Sequence, residues 1–399
     1  MKKSLALLLA LVMVFSFAAC GGSDNASEST APESSTSEST APESTAPEAN
    51  TYEIALVTDV GNIDDKSFNE GTWNGVKQYA DDNGITYNYY RPSEDSTEAR
   101  VEAISTAVEK GAKVVVCPGY MFAETLYIVQ DKFPEVMFLG LDVAATDMMS
   151  AGGVDTSASD FSVDSYNMSD YVKSNVALIT YREEQSGFLA GYAAVKEGYT
   201  KLGFLGGMAV PAVVRYGYGF VQGVDAAAKE DGVQDVQLNY WYGNTFGPSD
   251  DVKVKMDSWF TGGTQVVFAC GGGIYLSAVQ AAEQAGGKII GVDSDQSGES
   301  DLIITSAMKD LTNSTVEGLT ALYDNGGVWT EDYAGNTMVL GAAEGSVALP
   351  TAESSWRFEN FTIDQYNAIF DKIASGEVAV SNAIDKAPDV TNVTVDYQE

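Results

Sequence analysis

The chain has 399 residues, enough for two or three domains, which excludes a single small module. It carries 22 Lys and Arg against 57 Asp and Glu, a formal charge of −35, so a nucleic-acid backbone or an anionic membrane surface is repelled across most of its area. With no histidine, Ser-His-Asp and Cys-His catalysis, HExxH zinc proteases and all imidazole metal sites are excluded.

At the start of the chain, Lys2 and Lys3 precede an apolar run from Leu5 to Ala19. The run is too short for a stable span and has the charged, apolar, small-residue order of an export signal. Phe17-Ala18-Ala19-Cys20, followed by Gly21 and Gly22, is similar to a bacterial lipobox. Residues 1–20 therefore read as a lipoprotein signal peptide, with Cys20 as the lipidated residue and the lipid as the only tie to a membrane. Residues 21–50 contain no Lys or Arg and three copies of Ser-Thr-Ala-Pro-Glu. Such a segment buries too little to offset its ordering entropy, so it reads as a disordered tether. Residues 51–399 retain a charge of −31, so the acidity belongs to the folded part.

From residue 53 onward, β-rich runs alternate with amphipathic stretches. Strands are predicted at 53–58, 85–90, 112–117, 136–141, 175–181, 201–206, 236–242, 264–270 and 287–292. Helices are predicted at 68–80, 99–110, 186–197, 211–229, 249–260 and 274–285. Strict alternation means βαβ units and parallel sheets, hence an α/β protein of two doubly wound lobes. Residues 143–174, rich in Ser and Asp, interrupt the rhythm and read as a surface excursion. A strand-like run at 302–307 and a helix at 313–323 read as a return to the first lobe. The expected N-terminal lobe is thus 51–181 plus 301–345, and the expected C-terminal lobe is 182–300 plus 346–399, with a helix at 364–373. Cys117 and Cys270 end apolar runs and are expected to be buried thiols without a disulfide.

Two lobes joined by several crossings form a cleft at the carboxyl ends of their strands, where open α/β sheets bind ligands. Asp59 leaves the first strand end and is expected to meet the ligand. Asp64, Asp65 and Ser67 are expected to cap the next helix, which opens with Phe68 and Asn69 at the cleft rim. Asp293 ends a strand of the second lobe, and Lys309 lies shortly after the next one. Ionised carboxylates only accept hydrogen bonds, so this pairing suits a ligand with paired hydroxyl or N–H donors, such as a sugar or nucleoside. Glycoside hydrolysis by the paired carboxylates is disfavoured because hinged lobes do not fix their separation. No EF-hand spacing joins the aspartates, and no metal or other cofactor is expected. The glycines at 203–207 and 271–273 match neither GxGxxG nor a P-loop, which favours close backbone approach to an uncharged ligand.

ALVTDVGNIDDKSFNEGTWNGV (55–76), EEQSGFLAGYAA (183–194), KLGFLGGMAVPAVVRYGYGFVQGV (201–224), IGVDSDQ (290–296) and SAMKD (306–310) together resemble the basic membrane protein family of substrate-binding lipoproteins. Its best-understood members are purine nucleoside receptors of ABC importers. The resemblance implies a type I periplasmic-binding-protein fold, a nucleoside held between the lobes, delivery to a membrane permease, and binding without catalysis by a monomer on the extracytoplasmic face. It implies that Asp59 binds the base edge or ribose and that Phe68 and Phe246 stack on the two purine faces. It further implies that Asp293 takes the ribose hydroxyls, that Lys309 orients that carboxylate, that Gly272 offers backbone contact and that Asp142 is a further acidic position. Two departures stand out: the excursion is long, and Tyr216 replaces an expected phenylalanine, so its hydroxyl needs a partner if buried. The alternatives are a sugar or quorum-signal receptor of the same fold, a surface sensor or adhesin, and a nucleoside hydrolase.

Overall fold

The computed structural model describes residues 52–399, so the expected signal peptide, the expected tether and Cys20 lie outside the described residues. The first part of the chain runs β1 (Ile54–Val57), α1 (Phe68–Asn83), β2 (Tyr87–Tyr90), α2 (Thr97–Glu109), β3 (Val114–Pro118), α3 (Ala123–Lys132), β4 (Met137–Leu141), α4 (Ala145–Ala151) and β5 (Val176–Tyr181). The second runs α5 (Glu183–Glu197), β6 (Lys201–Gly206), α6 (Pro211–Asp231), β7 (Val236–Tyr242), α7 (Asp250–Thr261), β8 (Val266–Cys270), α8 (Tyr275–Ala285), β9 (Lys288–Asp293) and β10 (Ile303–Lys309). After these come α9 (Leu311–Asp324), β11 (Thr337–Leu340), β12 (Val347–Ala348), α10 (Ile363–Ala374) and β13 (Val393–Tyr397). Strands β1, β3, β5 and β8 are buried at every position, the pattern of β-branched runs covered on both faces.

The strands form two sheets, one ordered β11-β5-β4-β3-β1-β2 and the other β12-β10-β9-β8-β6-β7-β13. Pairing is parallel except between β10 and β12. The two orders match over five strands, β1 to β5 standing where β6 to β10 stand, while β13 has no counterpart and β12 runs antiparallel where β11 runs parallel. In the first sheet Leu141 pairs with Ile179, and in the second Val292 pairs with Ala307. Asp142 and Asp293 therefore follow equivalent positions, and Lys309 stands where the first sheet has Tyr181.

The lobe boundary differs from the expected one. Residues 301–309 do not return to the first lobe, because β10 pairs with β9 and supplies a buried inner strand of the second sheet. The chain crosses after it, through α9, which packs on α1. Further crossings lie between β5 and α5 and between β11 and β12. Helices α3 and α4 and strands β11 to β13 were not predicted. The 143–174 excursion begins with α4, whose Met148 and Met149 are buried, and is tied down by Gln130 on α3. Gln130 donates to the Tyr171 carbonyl and accepts from the Lys173 amide. None of the excursion's residues lines the cleft.

Helices α5 and α6 lie against each other in parallel, with backbone touching backbone. A Cβ at Gly187 or Gly191 of α5 would strike the carbonyls of Tyr216 and Phe220, and one at Gly219 or Gly223 of α6 those of Glu184 and Phe188. This approach sets the N-termini of both helices side by side at the cleft. Cys117 and Cys270 are buried free thiols, one in each sheet.

Candidate functional site

Between the two sets of strand ends lies a cleft with about 680 Å³ of empty space, open solvent included. Asp59, Phe68, Asn69, Asp142, Phe246, Gly272, Asp293 and Lys309 all line it. Positions up to 250 residues apart converge because each stands at a strand end, a helix start or a strand-to-helix loop.

On the first wall, Asp59 Oδ1 accepts from the Gly61 amide at 2.7 Å and from Asn69 Nδ2 at 3.0 Å. Asn69 Nδ2 also donates to Asp65 Oδ2 at 2.9 Å, and Asn69 Oδ1 accepts from the Asp59 amide at 3.4 Å. The Asn69 amide group is thus a strut between two aspartates. Asp65 caps α1 as expected, accepting from the amides of Ser67, Asn69 and Glu70. Asp64 stays exposed, and Ser67 makes no capping bond with its side chain. On the second wall, Phe246 lies over a glycine ledge, since a Cβ at Gly207 would come within 2.6 Å of its ring and one at Gly271 within 2.9 Å. The Gly273 amide fixes it by donating to the Phe246 carbonyl at 2.8 Å. Both phenylalanines are half-buried, with one side on the core and one on the cleft.

At the centre, Lys309 is buried and bridges the lobes. Its Nζ lies 2.6 Å from Asp142 Oδ2, 3.2 Å from Glu183 Oε1 and 3.8 Å from Asp293 Oδ1. It also sits 4.7 Å from the Phe68 ring centre, 5.2 Å from that of Tyr181 and 5.5 Å from that of Tyr216, distances at which a desolvated ammonium is attracted to the ring face. Glu183 continues the network, its Oε2 accepting from Arg215 Nε at 2.5 Å. Asp293 accepts from the Ser67 hydroxyl at 2.6 Å and from the Tyr216 hydroxyl at 3.4 Å, which gives Tyr216 the partner its burial requires. Asp142 and Asp293 have φ of 59° and 63°, a left-handed backbone that costs about 1–3 kcal/mol at a non-glycine residue. That conformation holds both carboxylates in the gap between the sheets.

Burial would lower the Lys309 pKa, but Asp142, Glu183 and Asp293 outweigh it, so the ammonium is held above its usual range and stays charged. Burial pushes Asp142 up to about 7, with Lys309 opposing and the Glu183 charge adding to the rise. Burial also raises Asp293, against Lys309 and Ser67, and Asp59, against the Gly61 amide and Asn69. Glu183 stays below the usual range despite burial because Arg215 and Lys309 flank it. One acceptor in this set is unengaged: Asp142 Oδ1 is buried without a hydrogen-bond partner. A buried acceptor of this kind is costly unless a donor reaches it.

Sequence reasoning missed Glu183 and Arg215 as parts of the site. Their signal was an isolated arginine in the apolar first turns of α6 and an acidic pair opening a helix of small and apolar residues. Such charges, once buried, require one another.

A family described as ABC transporter substrate-binding protein PnrA-like matches residues 53–383. Basic membrane protein A1 of Borrelia garinii subsp. bavariensis is 27% identical over 268 residues, covering 66% of this chain and 70% of that protein. The ABC transporter nucleoside-binding protein BmpA of Lactococcus lactis subsp. cremoris is 24% identical over 255 residues, covering 61% of this chain and 64% of that protein. Among solved structures, an ABC transporter solute-binding protein from Aeropyrum pernix superposes with a TM-score of 0.65 at 19% identity, covering 82% of this chain and 92% of that one. One from Conexibacter woesei gives 0.60, also at 19% identity, over 83% and 99%. At such identities these structures speak to the fold, two α/β lobes of the type I periplasmic-binding kind.

Proposed function

This chain belongs to the PnrA-like family of ABC transporter substrate-binding proteins, and from that premise we propose that it holds a purine nucleoside in the cleft and hands it to a membrane permease. The observation that carries the reading is the unpartnered, buried Asp142 Oδ1 in a cleft that also presents Phe68 and Phe246. A nucleoside brings hydroxyl and N–H donors for the carboxylates and a flat base for the rings. Stacking contributes about 0.5–1.5 kcal/mol per aromatic pair beyond burial. A nucleotide adds phosphate, which the acidic cleft disfavours.

In this reading Phe68 and Phe246 bracket the base, and Asp59 accepts from its edge or from the ribose. Asp142 and Asp293 take ribose hydroxyls while Lys309 aligns them, and the Gly272 backbone completes the wall. Asn69 acts through Asp59. The protein acts as a monomer on the extracytoplasmic face, anchored by a lipid on Cys20, and makes or breaks no bond in its ligand. Isothermal titration with inosine, adenosine, guanosine, cytidine and ribose tests this. Micromolar or tighter binding of the purine nucleosides is expected, with ribose far weaker. Heat from ribose alone favours a sugar receptor, and no heat from any nucleoside overturns the reading.

A further inference from the structure

Ser67 stands at the N-cap position of α1, where a serine hydroxyl ordinarily accepts from an amide of the first helical turn. Here it makes no such bond. Asp65 serves that end instead, through the amides of Ser67 at 2.9 Å, Asn69 at 3.1 Å and Glu70 at 3.1 Å. The fully buried Ser67 is left free to donate its hydroxyl across the cleft to Asp293 Oδ2 at 2.6 Å. Two further bonds join the same segments of opposite lobes. Gln296 Nε2 donates to the Lys66 carbonyl at 3.0 Å, and Ser294 Oγ donates to the Ser67 carbonyl at 3.5 Å. Gln296 is itself fixed, its Oε1 accepting from the Val292 amide and its own amide donating to Ser306.

We propose that Ser67 is a positioning residue that latches the two lobes through Asp293 and thereby sets the affinity of the cleft for whatever it binds. The helix has handed its capping to Asp65, so the serine hydroxyl serves the other lobe, and it does so at a carboxylate, where a hydrogen bond is strongest. Apparent affinity scales with the fraction of molecules in the binding-competent form. A latch therefore changes affinity for every ligand by one common factor, whereas a side chain touching the ligand changes each by its own. This inference concerns lobe closure and stands apart from the identity of the ligand.

Ser67→Ala keeps the Asp65 cap and removes only the cross-cleft bond. Small-angle scattering without added nucleoside is expected to give a larger radius of gyration for Ser67→Ala than for the parent. Titration is expected to show about tenfold weaker binding of inosine and adenosine alike. Ser67→Thr, which keeps the hydroxyl, is expected to restore both readouts, and Gln296→Ala to move both in the same direction as Ser67→Ala. An unchanged radius of gyration in Ser67→Ala, or a loss confined to one nucleoside, overturns the proposal. If neither nucleoside binds the parent chain, the ligand reading fails while the scattering comparison still decides the latch.

Discussion

Asp142 combines a free oxygen, a left-handed backbone and a pKa near neutrality at one residue. A ligand donor on Oδ1 favours the ionised carboxylate, so binding must release protons wherever Asp142 is partly protonated beforehand. With its pKa pushed up to about 7 by burial and by Glu183 against Lys309, nucleoside affinity is expected to rise between pH 6 and 8 and to level off above. Calorimetry in buffers of different ionisation enthalpy should detect the released protons, and Asp142→Asn should abolish the dependence. A flat profile in the parent chain would mean that Asp142 does not meet a donor. At this scale the sequence exposed the residues at strand ends, because a strand's last carboxylate has only one gap to enter. Glu183 and Arg215 were harder to see, because their meaning lies in partners 32 residues apart that only helix packing brings together.

Helices α5 and α6 show how packing behind the cleft can carry the site. Glu183 opens α5 and Arg215 lies near the start of α6, so the separation of the helices fixes the ion pair that aligns Lys309. Gly191→Val would force them apart at Phe220. Denaturant unfolding is expected to show a loss of about 1–3 kcal/mol, and titration a weaker ligand affinity even though Gly191 does not line the cleft. Unchanged affinity in a folded Gly191→Val protein would show that the pair tolerates movement. The strands β1 to β9 and most helices were legible because each carries its own apolar periodicity. Assignment of β10 to a lobe was not, since a buried strand reads the same in either sheet and only its hydrogen-bonded neighbour decides. Helices α3 and α4 were hidden by short length and mixed polarity.

Across the whole molecule, acidity has a buried part and a surface part that pull in the same direction. Burial raises Asp65 to about 6 and Glu184 to about 7, the latter helped by the neighbouring charge of Glu183. A carboxyl whose folded pKa lies above its unfolded value contributes stability that is full below the unfolded pKa and is lost as pH rises through the folded one. The melting temperature is therefore expected to fall between about pH 4 and 7, from the ordinary carboxyl range up to the raised values. For Glu184 alone the effect is on the order of 3 kcal/mol, so Glu184→Gln should flatten much of the slope. Repulsion within the −31 surface adds to the slope, but 0.5 M salt should remove that share and leave the buried one. A slope that vanishes in salt would assign it entirely to the surface.

The matched strand orders carry one more consequence. The two walls read as two copies of one design, with Asp142 facing Asp293 at equivalent positions and with the same positive φ. A guest between perfect copies would fit equally well either way round. Lys309 breaks that equivalence, because its counterpart in the first sheet is Tyr181, whose hydroxyl is buried without a partner. The second wall thereby brings a buried ammonium to the middle of the gap where the first brings a neutral phenol, 5.2 Å away, so the two orientations of a guest are not equivalent. Two like walls supply the enclosure, and the one unlike pair between them tells a guest which wall is which.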